Sequence, residues 1–154
     1  ADRGGAKLII WGQDFDALEQ NGRLVVQTET HVLDLPLPAL VGRHQIVNAG
    51  TAVAAALQLG ELRQNEAAIE RGLVTAKWPA RMQRLDSGPL PELLGRNSEL
   101  WLDGGHNPSA GIALAQTLAD LEERSPKPVY LICGMMGLKD AAGFLSPFRG
   151  LVRH

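Results

Sequence analysis

The sequence is poor in features that mark several protein classes. It contains one cysteine, Cys133, in 154 residues, which excludes a disulfide framework and favours a reducing compartment. It has no apolar run near the roughly 20 residues of a membrane-spanning helix, and its first residues do not resemble a secretory signal peptide. We therefore predict a cytoplasmic protein with no membrane partner, in which Cys133 is a buried, reduced thiol.

The chain also has no strong excess of positive or negative charge. Fifteen Lys and Arg residues stand against seventeen Asp and Glu residues, for a net charge of −2, and the basic residues form no cluster. Nucleic-acid-binding proteins usually carry a basic patch, so we expect no nucleic-acid partner. Hydrophobic residues make up 45% of the chain, as in an ordinary globular domain. A partner must therefore bind at a specific site.

Complete nucleotide-binding and nucleophile motifs are missing as well. The chain has no G-x-x-x-x-G-K-[ST] phosphate loop, no G-x-G-x-x-G after a strand and no G-x-S-x-G nucleophile elbow. What is present is a set of shorter patterns that suit phosphate binding without forming a complete phosphate cradle.

Apolar periodicity and turn signals predict an α/β protein. In the first half they predict a strand at residues 7–15, a hairpin of residues 22–27 and 31–35, and two helices, one from 42 to about 59 and one at 65–73. Asn65 is a suitable N-cap for the second helix.

The second half predicts a Rossmann-like domain with a mostly parallel sheet and flanking helices. After a short strand at 82–85, the predicted order is strand, helix, strand, helix, which describes a parallel βαβ unit. The two strands are buried on both faces, and the helices carry Asn107 and Asp140 as caps. These elements lie at 99–103, 108 to about 125, 129–136 and 141–149. A third strand begins at 151–154, so this domain is expected to be truncated.

Residues 100–109 combine a strand end with a helix start. An apolar run ends in Asp103, two glycines allow a tight turn, and Asn107-Pro108 is a favourable beginning for a helix. Asp103 and His106 are able to bind hydroxyls, phosphate oxygens or a metal. A structural role is the alternative: Asp103 would tie down its own turn, and His106 would be a polar loop residue.

Three further polar side chains are candidates for ligand binding. Arg81 follows a Trp-Pro turn, and a guanidinium held by rigid backbone suits phosphate recognition; the alternative is a solvated arginine. Gln45 and Asn48 lie three residues apart at a helix start, hence on one face, where carboxamides could bond both edges of a purine. Capping of backbone groups is the alternative for Asn48.

Four motifs, taken in chain order, resemble the bifunctional folylpolyglutamate synthase/dihydrofolate synthase family of the Mur ligase superfamily. The departures are small: Ala80 stands where the family usually has Gly, Gly105 where Ala is common and Met136 where Leu is common. The motifs are Gly42-Arg43-His44-Gln45-x-x-Asn48-Ala49, Trp78-Pro79-Ala80-Arg81-Met82-Gln83, Leu102-Asp103-Gly104-Gly105-His106-Asn107-Pro108 and Gly134-Met135-Met136-x-x-Lys139-Asp140.

The resemblance implies two domains with the active site in the cleft between them. Residues 1–76 resemble the C-terminal part of the family's central ATP-binding domain. Residues 77–154 resemble the beginning of its Rossmann-like C-terminal glutamate ligase domain. The phosphate loop, the Mg²⁺ ligands and most of the folate site belong to the family's N-terminal part, so this chain alone is expected to be inactive.

The resemblance also implies roles for the candidate residues. Asn48, helped by Gln45, would contact the adenine of ATP, and Arg81 would contact its phosphates. Asp103 would bind the ribose hydroxyls, and His106 would lie on the phosphate and glutamate side. Asp103 and His106 are thus the candidate catalytic residues, and no residue of this chain is a candidate metal ligand.

The implied reaction is ATP-dependent amide formation by a monomeric enzyme. ATP, with Mg²⁺, phosphorylates a carboxylate of dihydropteroate or of a folyl-polyglutamate. The amine of L-glutamate attacks the acyl phosphate, and phosphate leaves. The sequence does not distinguish between the two acceptor substrates.

Three other interpretations are open. The chain could be a non-catalytic α/β module that binds a nucleotide or an anion. It could be part of a muramyl-peptide ligase, although Trp-Pro-x-Arg-x-Gln and Asn107-Pro108 are more typical of the folate enzymes. An Asp/His metal hydrolase is disfavoured because the sequence offers no second cluster of ligands.

Overall fold

The computed structural model describes residues 5, 7–59, 65–95 and 97–154. The chain divides into two compact units. The first consists of Ala1–Ala39 and His44–Lys77, and the second consists of Leu40–Arg43 and Trp78–His154. Each unit has its own hydrophobic core.

The first unit contains an antiparallel sheet of three strands in the order β1-β2-β3, which are Phe15–Gln20, Arg23–Thr28 and Val32–Pro36. The hairpin of β2 and β3 confirms the prediction. The strand predicted at 7–15 is wrong, because the first strand begins only at Phe15. The missed signal is Asn21-Gly22, where both residues have positive φ, 52° and 75°. An Asn-Gly pair is the favoured two-residue hairpin turn, and it pairs residues 15–20 with β2.

Two helices cover this sheet, as predicted. They are α1, His44–Ala56, and α2, Glu66–Thr75. The Asn65 side chain accepts a hydrogen bond from the Ala68 amide at 3.0 Å, which confirms it as the N-cap. The hydrophobic core of this unit comprises Ala17, Leu24, Val26, Leu35, Ala49, Val53, Leu57 and Leu73.

The backbone of α1 lies directly against β1 at Gly50. A Cβ added to Gly50 would overlap the Ala17 side chain, and Phe15 Cε2 would lie 3.8 Å from it. Glycine lowers intrinsic helix stability, so its presence in the middle of α1 has a packing reason: it lets the helix approach the strand more closely than any other residue would allow.

In its described residues, the second unit has two short strands and three α-helices. Strands β4, Gln83–Arg84, and β5, Trp101–Leu102, pair antiparallel. The long helix α4 begins at Pro108 with Asn107 as its cap, and Asp140 caps α5, so both predicted caps are confirmed. A 3₁₀ turn, Ser146–Phe148, follows α5. The helices are α3, Pro89–Glu92, α4, Pro108–Arg124, and α5, Ala141–Leu145.

The predicted mostly parallel sheet is not confirmed. Among the described residues, all three strand pairings in the two sheets are antiparallel. Parallel pairing of distant segments is limited there to the bridge between Val129 and Val152. Hydrogen bonds from the Arg153 amide to the Val129 carbonyl (2.8 Å) and from the Leu131 amide to the His154 carbonyl (2.9 Å) extend this contact. The structure therefore confirms an α/β architecture and leaves its Rossmann-like detail open.

Burial on both faces was wrongly predicted for residues 129–136. Leu131 and Met135 pack against the core of the second unit, whereas Tyr130 and Ile132 are 65% and 97% exposed. Cys133 is exposed too, which overturns the prediction of a buried thiol. Val129, Leu131 and Met135 are partly covered and the residues between them are exposed, so at most one face of this segment is covered. An apolar run alone cannot tell one covered face from two. Leu102 in β5, at 45% exposure, departs from the prediction for the same reason.

The described helices include none that is long and apolar enough to span a membrane.

Candidate functional site

Asp103 joins two loops of the second unit. Its Oδ2 accepts a hydrogen bond from the Met82 amide at 2.7 Å, and its Oδ1 accepts one from the Gly105 amide at 2.6 Å. The second bond is the local, structural role considered from the sequence. The first could not be foreseen, since it links residues 21 positions apart.

The turn that carries Arg81 lies against this loop. The Gly104 amide donates to the Ala80 carbonyl at 2.9 Å. A Cβ added to Gly104 would lie 3.4 Å from that carbonyl and 3.8 Å from Arg81 Nη1, so the guanidinium is near the loop backbone. Two motifs that are distant in sequence, Trp-Pro-x-Arg and Asp-Gly-Gly-His, thus meet in one place.

The backbone on both sides of Arg81 is strained. Ala80 has φ 55° and Met82 has φ 40°, values that cost a residue with a Cβ roughly 1–2 kcal/mol. Strain of this kind persists only where surrounding contacts over-determine it, and it clusters at functional sites. Here the contacts are the bonds to Asp103, Gly104 and the Gln83 side chain, whose Oε1 accepts from the Ala80 amide at 3.0 Å.

Replacing Ala80 by glycine is expected to stabilise the protein by about 1 kcal/mol, because glycine adopts positive φ without steric cost. Urea unfolding of wild type and Ala80→Gly would measure the difference. Ser109→Gly, at the exposed start of α4, provides a control that should lose stability. Equal or lower stability of Ala80→Gly would contradict a strained turn.

His106 lies in the same loop, directly before α4. Its Nδ1 is 3.0 Å from the Gly104 carbonyl. Because a carbonyl only accepts, Nδ1 carries the proton in this arrangement, and Nε2 is left for a ligand. His106 is exposed and stands beside the N-terminus of a 17-residue helix, where the helix dipole favours an anion.

Gln45 and Asn48 lie in the first unit on one face of α1, as predicted from their spacing. Asn48 Nδ2 donates to Gln45 Oε1 at 3.0 Å, and Gln45 Nε2 lies 2.9 Å from His44 Nε2. Gln45 is 5% exposed, while Asn48 is exposed. The buried Gln45 carboxamide therefore orients the exposed Asn48 carboxamide. This hydrogen bond joins two side chains and is not a capping bond to the backbone.

Two carboxylates of the second unit, Glu99 and Asp120, form ion pairs with residues distant in sequence. The Lys127 ammonium, 2.7 Å from Glu99, and the Trp101 indole N–H hold the pKa of Glu99 below its ordinary value. Arg43 donates two hydrogen bonds of 2.7 Å to Asp120 of α4 and lowers the pKa of that carboxyl. A lowered pKa keeps both groups charged at neutral pH, which suits anchoring better than proton transfer.

A large open cavity lies elsewhere and contains none of the predicted site residues. Its volume is about 940 Å³, and it belongs to the first unit. Its lining is polar and includes both signs of charge, with Lys7, Asp14, Asp16, Glu29 and His31 among the residues. Across the described ranges, three or more His, Cys, Asp or Glu side chains nowhere come together as a possible metal site. We place the candidate site on the motif residues because hydrogen bonds join their loops in a defined geometry.

Gln83 and the backbone of Met82 belong to the hydrogen-bonded turn around Arg81, and neither was predicted from the sequence to take part in the site. A signal for Gln83 existed, since it ends the motif Trp78-Pro79-Ala80-Arg81-Met82-Gln83. The structure brings Arg81, Asp103 and His106 into one region of the second unit, and it brings Gln45 and Asn48 together in the first.

Comparison with protein-family models gives no match. Among curated proteins, the chain is 36% identical over 121 residues to a probable bifunctional folylpolyglutamate synthase/dihydropteroate synthase of Haloferax volcanii, covering 79% of this chain and 13% of that protein. It is 31% identical over 140 residues to the folylpolyglutamate synthase of Lacticaseibacillus casei, covering 89% of this chain and 28% of that protein. The chain thus spans less than a third of either relative.

Solved structures give the same family. The E. coli FolC structure with ADP and without folate substrate is 28% identical, with a TM-score of 0.70 over 96% of this chain and 32% of that one. The E. coli FolC structure with DHPP and ADP is also 28% identical, with a TM-score of 0.67 over 92% of this chain and 31% of that one. In sequence and in fold, the chain therefore belongs to the folylpolyglutamate synthase/dihydrofolate synthase family, of whose solved members it spans about a third.

Proposed function

We propose that this sequence is part of an ATP-dependent ligase that adds L-glutamate to dihydropteroate, to folyl-polyglutamates or to both. The observation that carries the proposal is that the family motifs are present and that two of them meet around Arg81 and Asp103. The relatives support the same reaction, since they include a folylpolyglutamate synthase and an E. coli FolC solved with DHPP and ADP.

In the second unit, we assign Arg81 to the ATP phosphates, His106 to the phosphate and glutamate side, and Asp103 to the ribose hydroxyls. The guanidinium presents several N–H donors in a planar fork that matches phosphate oxygens. Each Asp103 oxygen accepts one backbone N–H, and a carboxylate has about four lone-pair sites. It therefore keeps the capacity to accept hydroxyl groups while it holds the loop.

In the first unit, we assign Asn48 to adenine, with Gln45 as its support. Asn48 donates one side-chain N–H to Gln45, and its second N–H and its carbonyl oxygen remain available to a ligand. Those two groups match the donor and acceptor pair on one edge of adenine.

The reaction places negative charge where these side chains offer positive charge. The carboxylate of the acceptor attacks the terminal phosphoryl group of ATP, which gives an acyl phosphate and ADP. The amine of L-glutamate then attacks the acyl carbon, loses a proton and expels phosphate. Arg81 and the N-terminus of α4 stabilise this developing charge from fixed positions, and the imidazolium form of His106 adds to it by donating through Nε2–H to a phosphate oxygen.

Several finer assignments belong to the same proposal. Residues 1–76 would form the end of the central ATP-binding domain, and 77–154 the beginning of the Rossmann-like C-terminal domain, which the parallel bridge of Val129 and Val152 supports. Mg²⁺ is expected with ATP, but the described residues do not fit a metal site, so we derive no step through it. The monomeric state and the cytoplasmic location stay predictions.

The test is glutamate-dependent ADP release by the full-length protein that carries this sequence, with dihydropteroate and with a folyl-polyglutamate as acceptors. His106→Ala should lower kcat by about 10- to 100-fold, as loss of a hydrogen bond to a charged group does. Glu123→Gln, on the exposed side of α4, is the control and should leave the rate unchanged. Turnover of a UDP-muramyl substrate instead, or full activity of His106→Ala, would contradict the assignment.

A further inference from the structure

Gln83 is a polar side chain to which the proposed reaction gives no role. It is the first residue of β4, and its Cα lies opposite Leu102, the residue before Asp103. Strand pairing therefore fixes its backbone at the base of the loop. Its side chain turns back along the chain, where Oε1 accepts the hydrogen bond from the Ala80 amide.

This bond closes the turn that carries Arg81. Ala80 is held at two points, through its amide by Gln83 and through its carbonyl by Gly104. Met82 is held through its amide by Asp103. With positive φ at Ala80 and Met82, the free turn would prefer another conformation, so these bonds are what keep it in place.

We infer that Gln83 is a positioning residue for Arg81: by holding the Ala80 amide, it keeps the strained turn in the conformation that aims the guanidinium. This inference rests on the proposed contact between Arg81 and the ATP phosphates. Gln83 acts through its acceptor oxygen alone, so a glutamate should perform the same task.

The experiment compares three substitutions in the full-length protein, with ATP as the varied substrate. Gln83→Met keeps the length of the side chain and removes the acceptor. It should raise KM for ATP by about 2- to 10-fold, the range for one hydrogen bond, and change kcat less. Gln83→Glu keeps an acceptor oxygen and should stay within about twofold of wild type in KM. Arg81→Ala reports whether the guanidinium contacts ATP at all.

A second measurement is independent of activity. Hydrogen exchange of the Ala80 amide should be faster in Gln83→Met and near wild type in Gln83→Glu, because the bond that protects it is lost only in the former. This distinguishes a loosened turn from a variant that fails to fold, in which exchange would rise throughout the chain.

The outcomes separate the two proposals. An unchanged kcat/KM for ATP in Arg81→Ala overturns the proposed phosphate contact, and the positioning role with it. A raised KM in Arg81→Ala together with a normal KM in Gln83→Met overturns the positioning role alone. Equal losses in Gln83→Met and Gln83→Glu overturn it as well, since a carboxylate that harms ATP binding would place position 83 against the phosphates themselves.

Discussion

A methyl group added at position 50 is expected to destabilise the first unit by about 1–2 kcal/mol, even though alanine is the better helix former. In Gly50→Ala the new Cβ overlaps the Ala17 side chain, and both residues are buried. Relief requires α1 to move away from β1, which opens the contact between α1 and the apolar core. Overpacking of this kind costs typically about 1–3 kcal/mol, against a gain of up to about 1 kcal/mol in helix propensity.

The chain offers a matched control for this substitution. Gly72 lies in α2, and a Cβ added there meets no atom within 4 Å. Gly72→Ala should therefore stabilise the protein by up to about 1 kcal/mol through helix propensity alone. Urea unfolding of both variants measures the opposite signs. Adding Ala17→Gly to Gly50→Ala should recover part of the loss, since it removes the atom that the new methyl group meets. Two variants that shift stability in the same direction would refute the close approach.

Loss of the Arg81 guanidinium is expected to lower activity strongly. Arg81→Ala should lower kcat/KM for ATP by about 10- to 100-fold in the full-length protein, because a hydrogen bond to a charged group contributes about 1.5–3 kcal/mol. Lysine at this position should restore a part of the rate, since it keeps the charge and loses the planar fork.

Arg84 provides the control for a general effect of charge. It lies three positions from Arg81 and is paired with Asp86 at 2.8 Å and with Glu99 at 3.8 Å. Arg84→Ala should change kcat/KM by less than about twofold, since exposed ion pairs contribute little. If Arg81→Ala and Arg84→Ala behaved alike, the phosphate contact would have to be abandoned.

Features set by neighbours in the chain were predictable from the sequence. The caps Asn65, Asn107 and Asp140 each bond an amide three residues ahead, so a short sequence pattern contains the whole interaction. The same holds for the hairpin of β2 and β3 and for the common face of Gln45 and Asn48. The Asn21-Gly22 turn was equally local, and the error over the first strand came from weighting apolar residues above turn chemistry.

Features that depend on distant partners were not predictable. Nothing near Asp103 in the sequence reveals that Met82 donates to it, and nothing near Gly50 reveals Ala17. The apolar run at 129–136 predicted a strand, but the structure has only the isolated bridge of Val129 in this segment. Which of its side chains are covered depends on contacts with the core that α4 and α5 form. The candidate residues could be proposed from the sequence because charged and carboxamide side chains in recognisable motifs suggest ligand binding. Gln83 bonds a backbone amide, and no sequence pattern indicates such a contact.

The exposed apolar side chains of residues 130–138 affect how experiments on this protein are best designed. Tyr130 and Ile132 present a bare aromatic and aliphatic surface, and Leu138 adds another at 95% exposure. Surfaces of this kind promote self-association as concentration rises. Titrations and calorimetry on this chain are therefore best run dilute, with light scattering recorded alongside, and an affinity tag is better placed away from the C-terminal residues that pair with this segment.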